Sequence, residues 1–449
     1  MIKNNAGIAV PELLLPNDSI NMKKWAVIAC DQYTSQPEYW EDVAKFVGAA
    51  PSMLHIVLPE IYLKDDHVKQ FIEDTKANMQ EYLASGVFTK LPPGILLTER
   101  QMGGVLRKGI LLCVDLEEYD FDLSHDPSVR ATEKTLLERI PPRIAIREGA
   151  AIESPHVMVL MDDVSDSVIG PLHIQRDTFD LLYDFDLMMN GGRIKGYFTS
   201  SDKQIRHVLE AIEQLPMHGN MRFCVGDGNH SLATAKAVWM RAKENLSEEE
   251  MQNHPLRYAL CEFVNIHDDG IQFMPIHRVI FKTTPSVCLQ HLVSELNKSG
   301  LSAKLVFGRW RGGQEALTGN QIPFLYRESA GNLMFDQQLD PIALGRIQEI
   351  LDRYVAENEN TGIDYIHGDT AFEELSKEYD NLGLYFAPMA KETFFSQVDA
   401  CGVLPKKSFS MGEAEQKRYY LECRLLCDVQ EEQAEETQIT EDAPSSQEE

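Results

Sequence analysis

The chain has 449 residues, of which 43% are hydrophobic and 25% charged, a globular composition that excludes a disordered chain or a small metal- or disulfide-stapled scaffold. Its formal net charge of −28 repels phosphodiester backbones and argues against binding DNA or RNA. Eight cysteines without Cys-x-x-Cys pairs read as reduced thiols, and with neither a leader pattern nor a run of roughly 18 apolar residues the chain is expected to be cytoplasmic and free of membrane segments.

In chain order, short apolar or β-branched runs over residues 25–29, 55–58, 110–114, 157–161 and 223–225 predict strands. Helical periodicity is clear over 68–83, over 205–215 with Ile205, Val208, Leu209, Ile212 and Leu215 on one face, and over 342–354. The last of these opens on Asp340 as cap and Pro341 in the first turn, the usual start of a helix. The polar stretch 241–255, capped at Ser247, predicts a surface helix. Strands and helices together predict a mixed α/β (α+β) fold, and the length predicts two packed lobes, drawn at 1–215 and 216–427. Residues 428–449 carry nine acidic and no basic side chains and predict a disordered acidic tail.

The strongest candidate for chemistry lies in MRFCVGDGNHSLATAKAVW, residues 221–239: an apolar strand, a turn containing Gly226 and Gly228, then a helix. The start of a helix offers unpaired N–H groups and a positive dipole end, and glycine lets backbone approach a ligand, so this architecture suits phosphate. Asp227 is placed to hold Mg²⁺ or act as base, His230 to contact a phosphoryl oxygen or move a proton, and Gly228, Asn229 and Ser231 to bind phosphate. Asp, Asn and Ser are also preferred helix caps, so the same turn suits a purely structural role. Cys224, inside the apolar strand, reads as a core thiol.

Two further groups stand out. Arg130 and Lys134, at helical spacing beside Thr132 and Thr135, could grip a nucleotide; a solvated helix face paired through Glu133 and Glu138 accounts for them equally well. His277 and Arg278 interrupt an apolar run, where alternation sends them to opposite faces, one toward a pocket or, alternatively, out from an edge strand. Asp31 and Glu60 each follow an apolar run and complete the candidates.

With Cys30-Asp31-Gln32-Tyr33, the 55–60 segment, Glu133-Lys134-Thr135, Asp227-Gly228-Asn229-His230, residues 275–278 and Leu404-Pro405-Lys406-Lys407-Ser408 in this order, the chain resembles the bacterial domain-of-unknown-function family 1015. The family's central turn usually reads Asp-Gly-His-His-Arg and is similar to the phosphate-binding turn of the ParB and sulfiredoxin superfold, whose members bind CTP or ATP and include a free-serine kinase. This resemblance implies a phosphotransferase acting on a small hydroxyl metabolite, serine or phosphoserine first, in the kinase or phosphatase direction, with Mg²⁺ and ATP or ADP. The other function it implies is a nucleotide-responsive binding protein without turnover. The chain departs from the family turn at Asn229 and Ser231, so Arg278, Arg130 or Lys134 is expected to supply the missing positive charge.

Overall fold

The structure, a computed structural model, describes residues 2–122, 124–135, 140–312, 318–405 and 407–427. The expected tail over 428–449 lies outside the described residues, as do Glu138, Arg139 and Lys406. The fold is mixed α/β, built on one large mixed sheet and a second, antiparallel sheet.

Among the described residues the large sheet has ten strands. Its order runs Asp180–Asp186, Arg193–Thr199, Ile95–Met102, Val105–Asp115, Tyr258–Asn265, Met158–Met161, Phe223–Asp227, Val129–Ala131 and Tyr119–Asp120, with Ile8–Ala9 added along Val105–Asp115. Hydrogen bonding between Met158–Met161 and Phe223–Asp227 means that this one sheet draws strands from both sides of residue 215. Its central strands are apolar on both faces because both faces are covered. Leu96, Leu111, Cys113 and Leu260 pack with Trp25, Trp40 and Tyr419 on one side. On the other, Leu97, Ile110, Leu112 and Phe263 pack with the helices carrying Ile205, Val208, Leu232 and Trp239.

The second sheet runs Ala303–Gly308, Ser329–Phe335, Gln321–Tyr326, Leu382–Leu384, His277–Phe281 and Gly362–Ile366. Helices Pro285–Lys298 and Pro341–Glu357 cover one face, burying Leu289, Leu292, Ile347 and Leu351 against Ile280, Phe324 and Leu333. Phe372 of the helix Asp369–Lys377 covers the other, against Val279 and Leu325. The helix Pro341–Glu357 begins as predicted, with the Asp340 carboxylate accepting from the Ala343 amide. Ser247 and Glu250 form a reciprocal capping box at the predicted surface helix, Glu248–Asn253.

Two local expectations are corrected. Residues 55–58 do not form a strand: the Ser52 hydroxyl accepts from the Leu54 amide and closes the short 3₁₀ turn Met53–His55. A side-chain cap there competes with extended pairing despite the apolar run that follows. Arg130 does not sit on a helix with Lys134. Val129–Ala131 is a strand, paired parallel to Phe223–Asp227, in which Val129 and Ala131 are buried and the ladder outweighs the helical spacing of the charges.

Candidate functional site

Pairing within the large sheet brings three chain segments to one point. The strand Phe223–Asp227 runs parallel to Val129–Ala131 and antiparallel to Met158–Met161. Thr132, at the exit of the first neighbour, and His156 and Val157, at the entrance of the second, therefore flank the turn after Asp227. Gly228 adopts φ +81° and caps the helix Asn229–Lys243. A Cβ there would also meet Val157 Cα at 3.0 Å, so glycine is required by both conformation and space.

The side chains of the turn divide in role. Asn229 is buried; its Oδ1 accepts from the Thr132 amide at 3.1 Å and its Nδ2 donates to Thr132 Oγ1 at 3.3 Å. Thr132 Oγ1 in turn donates to the Val225 carbonyl at 2.6 Å, so Asn229 clamps the turn to the neighbouring strand. Asp227 Oδ1 accepts from the Gly228 amide at 3.1 Å, and its Oδ2 lies 3.2 Å from Lys417 Nζ. Ser231 Oγ lies 3.0 Å from His156 Nε2, and His156 Nδ1 lies 2.7 Å from the Tyr420 hydroxyl, which donates to Cys30 Sγ at 3.0 Å.

A cavity of about 600 Å³ opens over this turn. Its wall includes Gly226, Asp227, Gly228, Asn229, His230 and Ser231, together with Asp31, Glu60, Thr132, Glu133, Arg143, His367, Lys407 and Lys417. The short strand Val27–Ile28 pairs with Tyr419–Tyr420, which carries Asp31 and Lys417 to the same wall. Glu60 opens the 3₁₀ segment Glu60–Lys64, anchors its amide on the Cys30 carbonyl at 2.8 Å and forms an ion pair with Arg143. Arg143 comes from the helix Ile140–Arg147, whose Ile140 and Ile144 pack on Ala233 and Val238 of the helix behind the turn. Beside this chamber lies a smaller, mainly apolar one of about 160 Å³, and Glu60, Arg143 and Ser231 line both.

Charge in the site is held by paired groups. Burial works to raise the Asp31 carboxyl, but His156, the Gln32 amide donating at 3.0 Å, and Lys417 together hold it below the usual carboxylate range. Burial, with Asp31 and Glu60 nearby, pushes the Cys30 thiol up to about 12. Cys30 is thus a neutral thiol at physiological pH. Cys224 is fully buried and its thiol is likewise pushed well above its ordinary value.

Of the residues singled out in sequence, the cavity wall unites Asp31, Glu60, Thr132, Glu133, Asp227, Gly228, Asn229, His230 and Ser231. The others lie elsewhere. Arg130 pairs with Asp126 and, at 3.3 Å, with Asp399. Lys134 is exposed and Thr135 buried. His277 is fully buried, stacked on Tyr385 with ring centroids 3.9 Å apart, and its Nδ1 accepts from the Phe386 amide. Arg278 is also buried, so its strand is no edge: Leu382–Leu384 and Gly362–Ile366 flank it. Its guanidinium lies 4.2 Å from the Phe386 ring centre and donates to the Ile276 and Lys407 carbonyls, which supports the Lys407 loop from behind. Lys417, Arg143, His156, His367 and Tyr420 were not among the expected site residues. Arg143 follows Arg130, Lys134 and Arg139 in a locally basic stretch of an acidic chain, and His156 stands just before a predicted strand; nothing local marks Lys417.

Residues 14–423 match a family model described as a protein of unknown function, DUF1015. The chain belongs to the DUF1015 family. No curated protein matches this DUF1015 chain. Among solved structures it is similar to a free serine kinase in complex with AMP, at 13% identity and a TM-score of 0.38, over 70% of this chain and 92% of that one. It is also similar to a conserved hypothetical protein from Pyrococcus furiosus, at 12% identity and a TM-score of 0.33, over 69% and 90% of the two chains. A third is SbnI with a C-terminal truncation from Staphylococcus aureus, at 10% identity and 0.34, over 67% and 82%. Likeness at this level does not reach the chemistry of a site. Among the described residues, no helix is long and apolar enough to cross a membrane.

Proposed function

We propose that this DUF1015 protein is a phosphotransferase that moves a phosphoryl group between a nucleotide and a small hydroxyl metabolite, with serine or phosphoserine the first to test. One observation carries the reading: a 600 Å³ cavity in which a glycine turn and the start of a 15-residue helix meet Asp227, Lys417 and Lys407. The volume lies within the roughly 300–1,000 Å³ of small-molecule sites. Backbone amides and the helix dipole favour phosphate oxygens there, and the two lysines add the positive charge such oxygens need. Lys407 and Lys417 take the part expected of Arg130, Lys134 and Arg278. His230 stands at the same wall, placed to hand a proton to a phosphoryl or hydroxyl oxygen.

Magnesium fits this wall in one mode. Among the described residues no three His, Cys, Asp or Glu side chains converge as a cage, whereas Asp31, Glu60, Glu133 and Asp227 surround the cavity. Magnesium bound to nucleotide phosphates usually takes only one or two protein carboxylates. Asp227, with Asp31 across Lys417, would provide them, and the ion would supply charge neutralisation to the phosphates.

Phosphorus NMR of the protein with Mg²⁺, ADP and O-phosphoserine tests the reading, because one spectrum separates transfer to ADP from release of inorganic phosphate. ATP or free phosphate should form with the native chain and not with Asp227→Ala of equal melting temperature. An unchanged native spectrum, repeated in the forward direction with ATP and serine, overturns the serine assignment. Nucleotide binding without turnover of any hydroxyl acceptor would overturn the enzyme and leave a nucleotide-responsive binding protein.

A further inference from the structure

A row of hydrogen bonds runs from Ser231 to Cys30: Ser231 Oγ lies 3.0 Å from His156 Nε2, and His156 Nδ1 lies 2.7 Å from the Tyr420 hydroxyl, which also contacts Cys30 Sγ. Both ring nitrogens are thus anchored, and Nε2, which faces the serine hydroxyl, can take its proton in the tautomer that carries hydrogen on Nδ1. Tyr420 is a positioning residue that orients the imidazole toward Ser231. His156 is 6% exposed, which screens this proton path from bulk water. Asp31 interacts with His156 as a charged carboxylate, which would stabilise an imidazolium.

Ser231 is placed for attack. It is the third residue of the helix Asn229–Lys243, where the dipole favours negative charge on its oxygen. It is half-buried and lines both the larger polar cavity and the apolar chamber. A capping or packing serine needs neither a histidine acceptor nor access to two cavities.

We propose that Ser231 is a nucleophile and His156 its general base, so that phosphoryl transfer passes through a phosphoserine at residue 231. This rests on the phosphotransferase reading above. In the first half, Ser231 Oγ bonds to the terminal phosphorus of a nucleoside triphosphate as the bond from phosphorus to the bridging oxygen breaks. The hydroxyl proton moves to His156 Nε2 and is released to solvent once the diphosphate has left. In the second half, an acceptor hydroxyl attacks the same phosphorus and the Oγ–P bond breaks. The acceptor's proton passes through Nε2 to Oγ, which restores the serine. Splitting transfer this way lets donor and acceptor use one cavity in turn.

The test uses a fluorophosphonate probe, whose phosphorus loses fluoride to an activated serine, with the full-length chain. Intact-mass and peptide mass spectrometry should find one adduct, on Ser231, absent from Ser231→Ala of unchanged melting temperature. His156→Ala should slow labelling on the order of a hundredfold, with partial rescue by free imidazole, while Tyr420→Phe should move the pH midpoint of labelling. A native chain that takes no label, or a Ser231→Ala chain that labels equally, overturns the proposal. So does phosphate transfer at native rate by Ser231→Ala in the NMR experiment, an outcome that leaves the phosphotransferase standing. Labelling of Ser231 in a chain that transfers nothing from nucleotide keeps the nucleophile and removes the phosphotransferase.

Discussion

Lys417 Nζ lies 3.2 Å from Asp227 Oδ2, joining a segment near residue 420 to the turn that ends the strand Phe223–Asp227 of the large sheet. The same ammonium helps keep Asp31 charged, so one lysine balances two carboxylates beside the cavity of about 600 Å³.

Replacing Lys417 with alanine removes the cation paired with Asp227 and one of the groups that keep Asp31 charged, and takes away a donor to phosphate. A hydrogen bond to a charged group contributes about 1.5–3 kcal/mol, so ADP binding should weaken by roughly tenfold to a hundredfold. Isothermal titration calorimetry on the native and Lys417→Ala chains checks this, and unchanged affinity would remove Lys417 from the phosphate site.

Asn229→Ala should act on folding instead. It strips the buried Thr132 amide of its acceptor and takes away the donor to the Thr132 hydroxyl, at a cost of about 1–3 kcal/mol. A lowered urea midpoint with ADP affinity within about threefold of native is expected, since a factor of three is under 1 kcal/mol. Equal stability with lost affinity would place Asn229 on the ligand.

Two glycines separate conformation from contact. Gly86 and Gly228 both have positive φ, but a Cβ meets nothing within 4 Å at Gly86 and meets Val157 at 3.0 Å at Gly228. Gly86→Ala should cost about 1–2 kcal/mol for the left-handed backbone alone. Gly228→Ala should cost more in chemical denaturation and displace the first turn of the helix, which reduces nucleotide binding as well.

His277 should contribute to acid sensitivity. Burial chiefly lowers its pKa from 6.5 to about 4, and its Nδ1 accepts from the Phe386 amide, a bond that protonation would break. Between those values the unfolded chain binds a proton that the folded chain refuses. Stability from this residue is therefore present above about pH 6.5 and lost as pH falls toward about 4, on the order of 3 kcal/mol in all. Urea midpoints measured across that range should fall more steeply for the native chain than for His277→Gln.

Legibility followed the range of the interactions. The turn at 226–231 was readable because glycines and cap-type residues sit between an apolar strand and a periodic helix, all within twenty residues. Asp31 and Glu60 were readable as polar groups that end apolar runs. Lys417 was not, because its place depends on Tyr419–Tyr420 pairing with Val27–Ile28, and no local pattern encodes a partner nearly four hundred residues away. His277 and Arg278 were correctly sent to opposite faces, yet both faces proved to be interior: helices cover the two sides of that sheet. Arg130 lost its expected helix to a ladder formed with a strand far along the chain.

The closure of Tyr419–Tyr420 onto Val27–Ile28 also sets an order in time. During synthesis the glycine turn, the helix behind it and the carboxylates of Asp31 and Asp227 all leave the ribosome well before Lys417. Until that lysine emerges and its strand docks, the ammonium that faces Asp227 and helps keep Asp31 charged is missing from the cavity wall. The wall is therefore completed late in synthesis, by β pairing between segments nearly four hundred residues apart.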